Sequence, residues 1–395
     1  MATGPQNGPL HSTQVIDFTT TIAGPYCTRM MADLGATVIK IETDEGDLMR
    51  SRPPLRDGAS TSFGQLNAGK HSIILDLKRP EAQQIARRLI AASDFLVENF
   101  RPGVMARFNL AYETLSEQHP ELIYCSISGY GQTGPSSGLA AYAPAIHAAS
   151  GFDMAHLAYQ PGRERPDNCG IYIADIVSGT YAFGAIMAAL AHRHVTGTGQ
   201  HIDVSMLETM LTLMVGEVQT AQFPVAPPSR PMFGPVKTQN GYIMPAVASE
   251  KTFQSLCLAA GHPEWITDPR FARYADRRDN WGAFVDLLET WSTNVTTAEC
   301  QAAFDTAGVP SSPYRHVKDV LADPQLVHRG ALADVHDKGG PFKVVNPPFR
   351  FSAMPVQVSG FSSALGEHTR AILAAAGYAS DEIETMAAAG VISFG

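Results

Sequence analysis

The chain has 395 residues, 45% of them hydrophobic and 17% charged, with a formal net charge of −9. That length exceeds what one hydrophobic core usually serves, so two domains are expected, and the composition excludes a disordered chain. The acidic balance excludes a general nucleic-acid binder, which would present a basic face.

In chain order, "QVIDFT" (14–19) reads as a buried strand, "GPYCTRMMADLGA" as a helix closed by Gly35, and "TVIKIE" as a second strand. Strand, helix and strand in that order imply a right-handed crossover. "HSIILDL" (71–77) supplies a third strand, and a helix opens at Pro80. "DFLVENF" and "LIYCSISGYG" supply two more, with a helical "VMARFNLAYETLSEQ" between them. This is the pattern of a large α/β, Rossmann-like domain with a mostly parallel sheet. A helix follows "ADIVSG" to about residue 194, "HIDVSM" is a further strand, and "LETMLTLMVGEVQTA" resumes helix.

The proline-rich stretch 223–236 reads as a linker that closes the first part of the large domain, residues 1–222. Residues 237–325 then form a smaller α+β domain, opening with a hairpin pinned by Asn240-Gly241. Residues 326–395 return to the large domain and end in two helices, the second capped by Ser380. The N-terminus lacks the layout of a signal peptide, and the longest apolar run, "YAFGAIMAALA", is shorter than a bilayer span. Five scattered cysteines without a CxxC pair fit free thiols and offer no zinc site. A cytoplasmic protein with no membrane partner is expected.

Several segments carry candidate chemistry. A dinucleotide site would need G-x-G-x-x-G after the first strand. The turn reads "TTTIAGPYC", so NAD is not expected, and Glu42 reads as a solvated strand end. "VENFRPG" places Asn99, Phe100 and Arg101 just past a strand, where an amide, an aromatic face and a guanidinium suit an adenine and a phosphate. Arg107 adds a second cation. Tyr142 lies among alanines beyond the "SGYGQTGP" loop, and a buried phenol there would need a hydrogen-bond partner. Asp175, in "YIADIVSGT", reads two ways: as a helix N-cap, or as a carboxylate nucleophile held still and desolvated.

Taken together, "VIDFTTTIAGPYCTRMMADLGATVIKIE", "LNAGKHSIILDLK", "DFLVENFRPGVMARF" and "ADIVSGTYAFGAIMAALAHRHVTGTGQHIDVSML" resemble the family III CoA-transferases, the group of formyl-CoA transferase and carnitine CoA-transferase. The likeness continues through "ITDPRF" and "LGEHTRAIL", so it spans nearly the whole chain. It implies an enzyme that moves CoA from an acyl-CoA donor to a carboxylic acid through covalent aspartyl intermediates on Asp175, with N-capping aiming the side chain. CoA is then substrate, and no permanently bound cofactor is implied. Residue by residue, the resemblance assigns Tyr142 as the active-site tyrosine and Ile22, Ala23, Leu75, Lys78, Asn99, Phe100, Arg101 and Arg107 as CoA contacts. It also implies an interlocked homodimer.

The sequence departs from that pattern in places. Thr43 stands where a basic residue often helps hold the nucleotide, so Arg29 or Arg50 would have to substitute, and Ala140 replaces a lysine that some transferases carry. The glycine-rich lid of the formyl-CoA enzymes is missing after the linker. The same fold hosts α-methylacyl-CoA racemases, whose histidine falls at Tyr142; a phenol is a poor base near neutral pH, though His147 or His156 would be alternatives. A non-catalytic CoA-binding scaffold is a third reading, opposed by the intact Asp175. Arg163 and Arg165 could pair the second carboxylate of a dicarboxylic acyl group.

Overall fold

Six runs, Gln14–Asp17 (β1), Thr37–Glu42 (β2), His71–Leu75 (β3), Phe95–Glu98 (β4), Ile123–Ser128 (β5) and His201–Ser205 (β6), pair in parallel in the spatial order 3-2-1-4-5-6. The computed structural model describes residues 8–160, 162–224 and 233–395. Residues 225–232 of the expected linker therefore lie outside the described residues. β3, β4 and β5 are buried at every position, which is why they read as continuous apolar runs: helices cover both faces of a parallel sheet.

On one face, helix α1 (Ala23–Asp33) and the long helix α3 (Ile173–Thr196) share a core that includes Val15, Met31, Val97, Ile127 and Ile186. Helices Pro80–Ala91, Thr369–Ala375 and Ser380–Ala388 close the other face around Ile85, Leu89, Ile372 and Ile383. A short helix, α2 (Ala143–Ala149), joins the first face, burying Ala143 and Ile146.

The chain divides into two units, residues 1–215 with 327–395, and residues 216–326. In the smaller unit, strands Val236–Thr238, Gly241–Pro245 and Ser311–Pro313 form an antiparallel sheet. Its helices pack Phe253, Trp265, Phe284 and Phe304 into their own core.

Local expectations needed correction at several points. Gly241 pairs with Thr238, so the hairpin turns on Gln239 and Asn240 rather than on Asn240-Gly241. The Asn240 side chain instead accepts from the backbone and hydroxyl of Thr297. The helix expected through "VMARFNLAYETLSEQ" breaks into Val104–Arg107 and Tyr112–Ser116. Asn109 sits between them at φ 55°, a left-handed conformation that Asn tolerates better than most residues. The second terminal helix starts at Ser380, with Ala379 as its N-cap. A two-residue strand, Ile392–Ser393, adds antiparallel to the free edge of β3, an element too short to leave any period in the sequence. Helix α3 runs for 24 residues, well past its most apolar stretch at both ends, and by length and composition alone it could cross a membrane. Its buried residues, among them Ala174, Ser178, Ala182 and Ile186, pack into the core.

Candidate active site

The sheet order reverses between β1 and β4, whose flanking connections run to opposite sides, and a crevice opens at the carboxyl ends of the strands there. A cavity of about 240 Å³ occupies this place. Its wall takes Thr20 and Thr21 from the turn after β1, Asn99 to Pro102 from the turn after β4, Ser128 from the end of β5, and Tyr142 and Asp175 from α2 and α3. Among the described residues, Arg101 is the only cation and Asp175 the only acid on that wall.

The turn after β1 is held by buried charges. Asp17 accepts from the amide of Thr19 at 2.8 Å, from the hydroxyl of Thr28 at 2.7 Å and from Lys70 Nζ at 3.0 Å. Lys40 donates to the carbonyl of Thr19 at 2.6 Å and pairs with Asp47 at 2.9 Å. Asp47 in turn accepts from the amide of Thr21 at 3.1 Å. These contacts hold Thr21 at φ 71°, a conformation that a β-branched residue adopts only under constraint. Burial would push the Asp17 carboxyl up, but Lys70 and Lys40 outweigh it and hold Asp17 below its ordinary range.

Asp175 is the third residue of α3, three positions past its N-cap; Tyr172 holds the N-cap position, with no side-chain cap bond. The carboxylate is half-buried and has no hydrogen-bond or ion-pair partner among the described residues. Burial alone pushes its pKa up to about 6. The amino end of the helix beneath it works the other way, favouring the anion. Four residues on, Gly179 lets α3 approach the start of α1: a Cβ there would stand 2.5 Å from the carbonyl oxygen of Ala23.

The structure brings Ala23, Asn99, Phe100, Arg101, Tyr142 and Asp175 to one cavity. It does not bring the others there. The Ile22 side chain packs inward against Met49, Phe63 and Leu66. Leu75 is buried in the core, paired with Ile392. Lys78 and Arg107 are exposed and line no described cavity. The Asn99 amide is already used: its oxygen accepts from Thr20 N and its nitrogen donates to Thr20 O, both at 2.8 Å. It ties the β1 and β4 turns together.

The proposed stand-ins for a basic residue at 43 are also committed. Arg29 is buried and spends its guanidinium on Asp33 and on the carbonyls of Gln65 and Val345. Arg50 pairs with Glu42 at 2.7 Å and lies over the Phe63 ring at 3.8 Å. Glu42 itself is no solvated strand end: it is buried, also accepting from Ser72 Oγ at 2.6 Å and from Asp47 N. Arg163 pairs with Asp167 on the surface, and neither it nor Arg165 lines a described cavity.

The sequence reading did not single out Ser128, and it named His147 only as an alternative base. Ser128 is buried on the cavity wall, and its hydroxyl has no partner among the described residues. His147, in α2, accepts from the Ala174 amide at the base of Asp175.

The sequence matches CoA-transferase family III over residues 10–369. The chain belongs to that family. It is 33% identical to succinyl-CoA:glutarate CoA-transferase of Mus musculus over 97% of this chain and 90% of that protein. It is 34% identical to succinate--glutarate CoA-transferase of Agrobacterium fabrum, over 93% of this chain and 95% of that one. A crystal structure of a CAIB/BAIF family protein from Brucella suis superposes with a TM-score of 0.84 at 34% identity, covering 94% of this chain and all of the other. The fold is thus that of the family III CoA-transferases, and the protein is a transferase whose substrates are CoA thioesters. The cavity wall carries Ala140 in place of an ammonium, and Arg101 is its one cation among the described residues.

Proposed function

We propose that this transferase moves CoA from an acyl-CoA donor to a carboxylic acid through covalent intermediates on Asp175. The observation that carries the reading is the state of that carboxylate: desolvated, unpaired and on the wall of a cavity at the switch point of the sheet. An Asp175 oxygen attacks the thioester carbonyl carbon, and the C–S bond breaks, leaving a mixed anhydride and CoA thiolate. The acceptor carboxylate attacks the aspartyl carbonyl and releases the donor acid. The thiolate then attacks the acceptor's acyl carbon, forming the new thioester and freeing Asp175. In this reading the unpartnered Ser128 hydroxyl, on the same cavity wall, is the candidate donor to an oxygen that gains charge in these steps, once a rotation of its side chain exposes it.

The names of the relatives support a dicarboxylic donor such as succinyl-CoA. Arg101, on the cavity wall where Arg163 and Arg165 are not, is in this reading the cation that meets it. Racemisation finds less support, because Tyr142 stands where the second base would, and one nitrogen of His147 is occupied.

The test is incubation with succinyl-CoA or acetyl-CoA and a labelled acid, with hydroxylamine to trap acyl-enzyme. Succinyl-CoA should give the faster exchange and an adduct at Asp175. Since only the anion attacks, and the carboxyl titrates at about 6, acylation should climb through pH 6 and level off above about pH 7. A flat rate between pH 5 and 8, or washout of an α-deuterium without any transfer, would overturn the proposal.

The second copy of an interlocked homodimer belongs to the same reading. Tyr142, Met154, Ile171, Tyr172 and Tyr181, on α2, the helix Phe152–Ala158 and α3 or the residues leading into them, are large apolar side chains left exposed, the kind of surface that a second copy would cover. Light scattering should give twice the 42.4 kDa of one chain; a stable monomer at micromolar concentration would rule the dimer out.

A further inference from the structure

We infer that His147 is a positioning residue for the acyl-transfer step: its neutral imidazole caps the helix that carries Asp175 and locks that helix to the segment that carries Tyr142. The inference rests on Asp175 being the nucleophile.

The geometry starts at the first turn of α3. A helix leaves its first amides without intrahelical partners, and a side chain normally accepts them. The N-cap here, Tyr172, makes no such bond. The buried imidazole of His147 does so instead, its Nε2 accepting from the amide of Ala174 at 3.1 Å, 27 positions along the chain. Ala174 is fully buried and adjoins Asp175, so the bond fixes the backbone from which the carboxylate projects.

The other ring nitrogen sets the tautomer. Cys169 donates its thiol to the carbonyl of Ile171 at 3.3 Å, and Nδ1 of His147 stands 3.9 Å from the same sulfur. Nδ1 therefore carries the proton and donates to sulfur, while Nε2 is left as the acceptor. Loop, α2 and α3 meet at one ring. His147 also lies five residues beyond Tyr142, the N-cap of α2, so the cap joins the two segments that place Tyr142 and Asp175 on the cavity.

Protonation would undo the arrangement. A second ring N–H would face the Ala174 amide, donor against donor, and a cation would sit at the positive end of a helix. Burial pushes the imidazole's pKa down, while Asp153 on the following helix pulls it up. The other titratable groups near the ring are Cys169 in the loop, Asp175 one residue beyond Ala174 on α3, and His156, which stacks on the Phe152 ring that His147 also meets. Falling pH thus removes two things in turn, the Asp175 anion and the cap.

The test compares His147→Gln, whose amide oxygen can accept at any pH, with His147→Leu, which cannot accept. Acyl-enzyme formation from a saturating acyl-CoA is read by rapid quench and mass spectrometry, alongside KM and circular dichroism. His147→Leu should slow acylation roughly 10- to 100-fold, the range that misplacing a reacting group produces, with KM within about twofold. His147→Gln should stay within about threefold of wild type. As the pH falls through the imidazole's titration, the wild-type rate should drop below that of His147→Gln by a further 10- to 100-fold, roughly, beyond the loss of the Asp175 anion that both share. This comparison does not need the leucine variant to fold. Equal acylation rates in wild type and a folded His147→Leu, or a ratio of wild-type to His147→Gln rates that does not change with pH, would overturn the inference. If wild type forms no adduct at Asp175, the proposed nucleophile has failed instead, and the two failures are distinct.

Discussion

Asp175→Ala should abolish CoA exchange, by on the order of 10⁴-fold or more, because a removed nucleophile leaves only binding and oxyanion contacts to act. Acyl-CoA should still bind, since Phe100 and Arg101 lie on the turn after β4, apart from the lost carboxylate. The same variant should be more stable than wild type near pH 8. In the folded chain the carboxyl titrates at about 6 against an ordinary 3.8. Above pH 6 it is ionised in both states, and only the folded state bears the desolvation. Below the unfolded value it is neutral in both, and the difference vanishes. The penalty therefore builds as pH rises from about 4 to 6, and with allowance for partial exposure it amounts to about 1–3 kcal/mol. Chemical denaturation of both proteins at pH 8 and pH 4 measures it. Retained exchange in the variant would end the nucleophile assignment; equal stability at both pH values would show that Asp175 is not desolvated.

Such a gain on removal marks a group kept for chemistry rather than for folding. It also shows where the sequence was legible. The strands β3, β4 and β5 are buried on both faces, so their apolar runs announced the parallel sheet without help from any partner. The candidate nucleophile was legible as one of two alternatives, and resemblance decided between them. The N-cap alternative failed by three positions, because cap preference says which residue types suit a helix start and not where the first turn begins.

The charged residues were the least legible part. Glu42, Arg29 and Arg50 read as exposed or ligand-facing, yet each is spent on a partner inside the protein. Arg29 reaches Val345, 316 positions away, and no local pattern carries a contact of that span. Asn99 shows the same limit: its position after β4 was evident, but the closing of its amide on Thr20 was not. For His147 a signal did exist. One imidazole among the small apolar residues of "APAIHAAS" must find a buried partner, and the question was which.

Lys70→Met should cost about 3–5 kcal/mol of unfolding free energy, the usual penalty for leaving one charge of a buried pair behind. Lys70 is 2% exposed and Asp17 is fully buried, and they stand 3.0 Å apart. Lys70 also donates to Asn67 Oδ1, to Thr28 Oγ1 and to the carbonyl of Pro25, so its loss leaves several acceptors unsatisfied at once. Burial pushes its pKa down to about 8 against the pull of Asp17, so the ammonium is held at real expense and is not a surface ion pair. Asp17→Asn combined with Lys70→Met should cost less than the sum of the two single changes, because the second removes the charge that the first stranded. The effect should reach the active site. Asp17 holds the amide of Thr19 and Lys40 holds its carbonyl, and the next residue, Thr20, lines the cavity. Acylation in Lys70→Met should therefore fall even at temperatures where the variant is fully folded, and the double variant should recover stability more completely than rate. Urea unfolding and single-turnover acylation on the three proteins decide this. A loss below about 1 kcal/mol, the range of an exposed ion pair, would mean that the buried charges neither stabilise the large unit nor hold the turn that shapes its cavity.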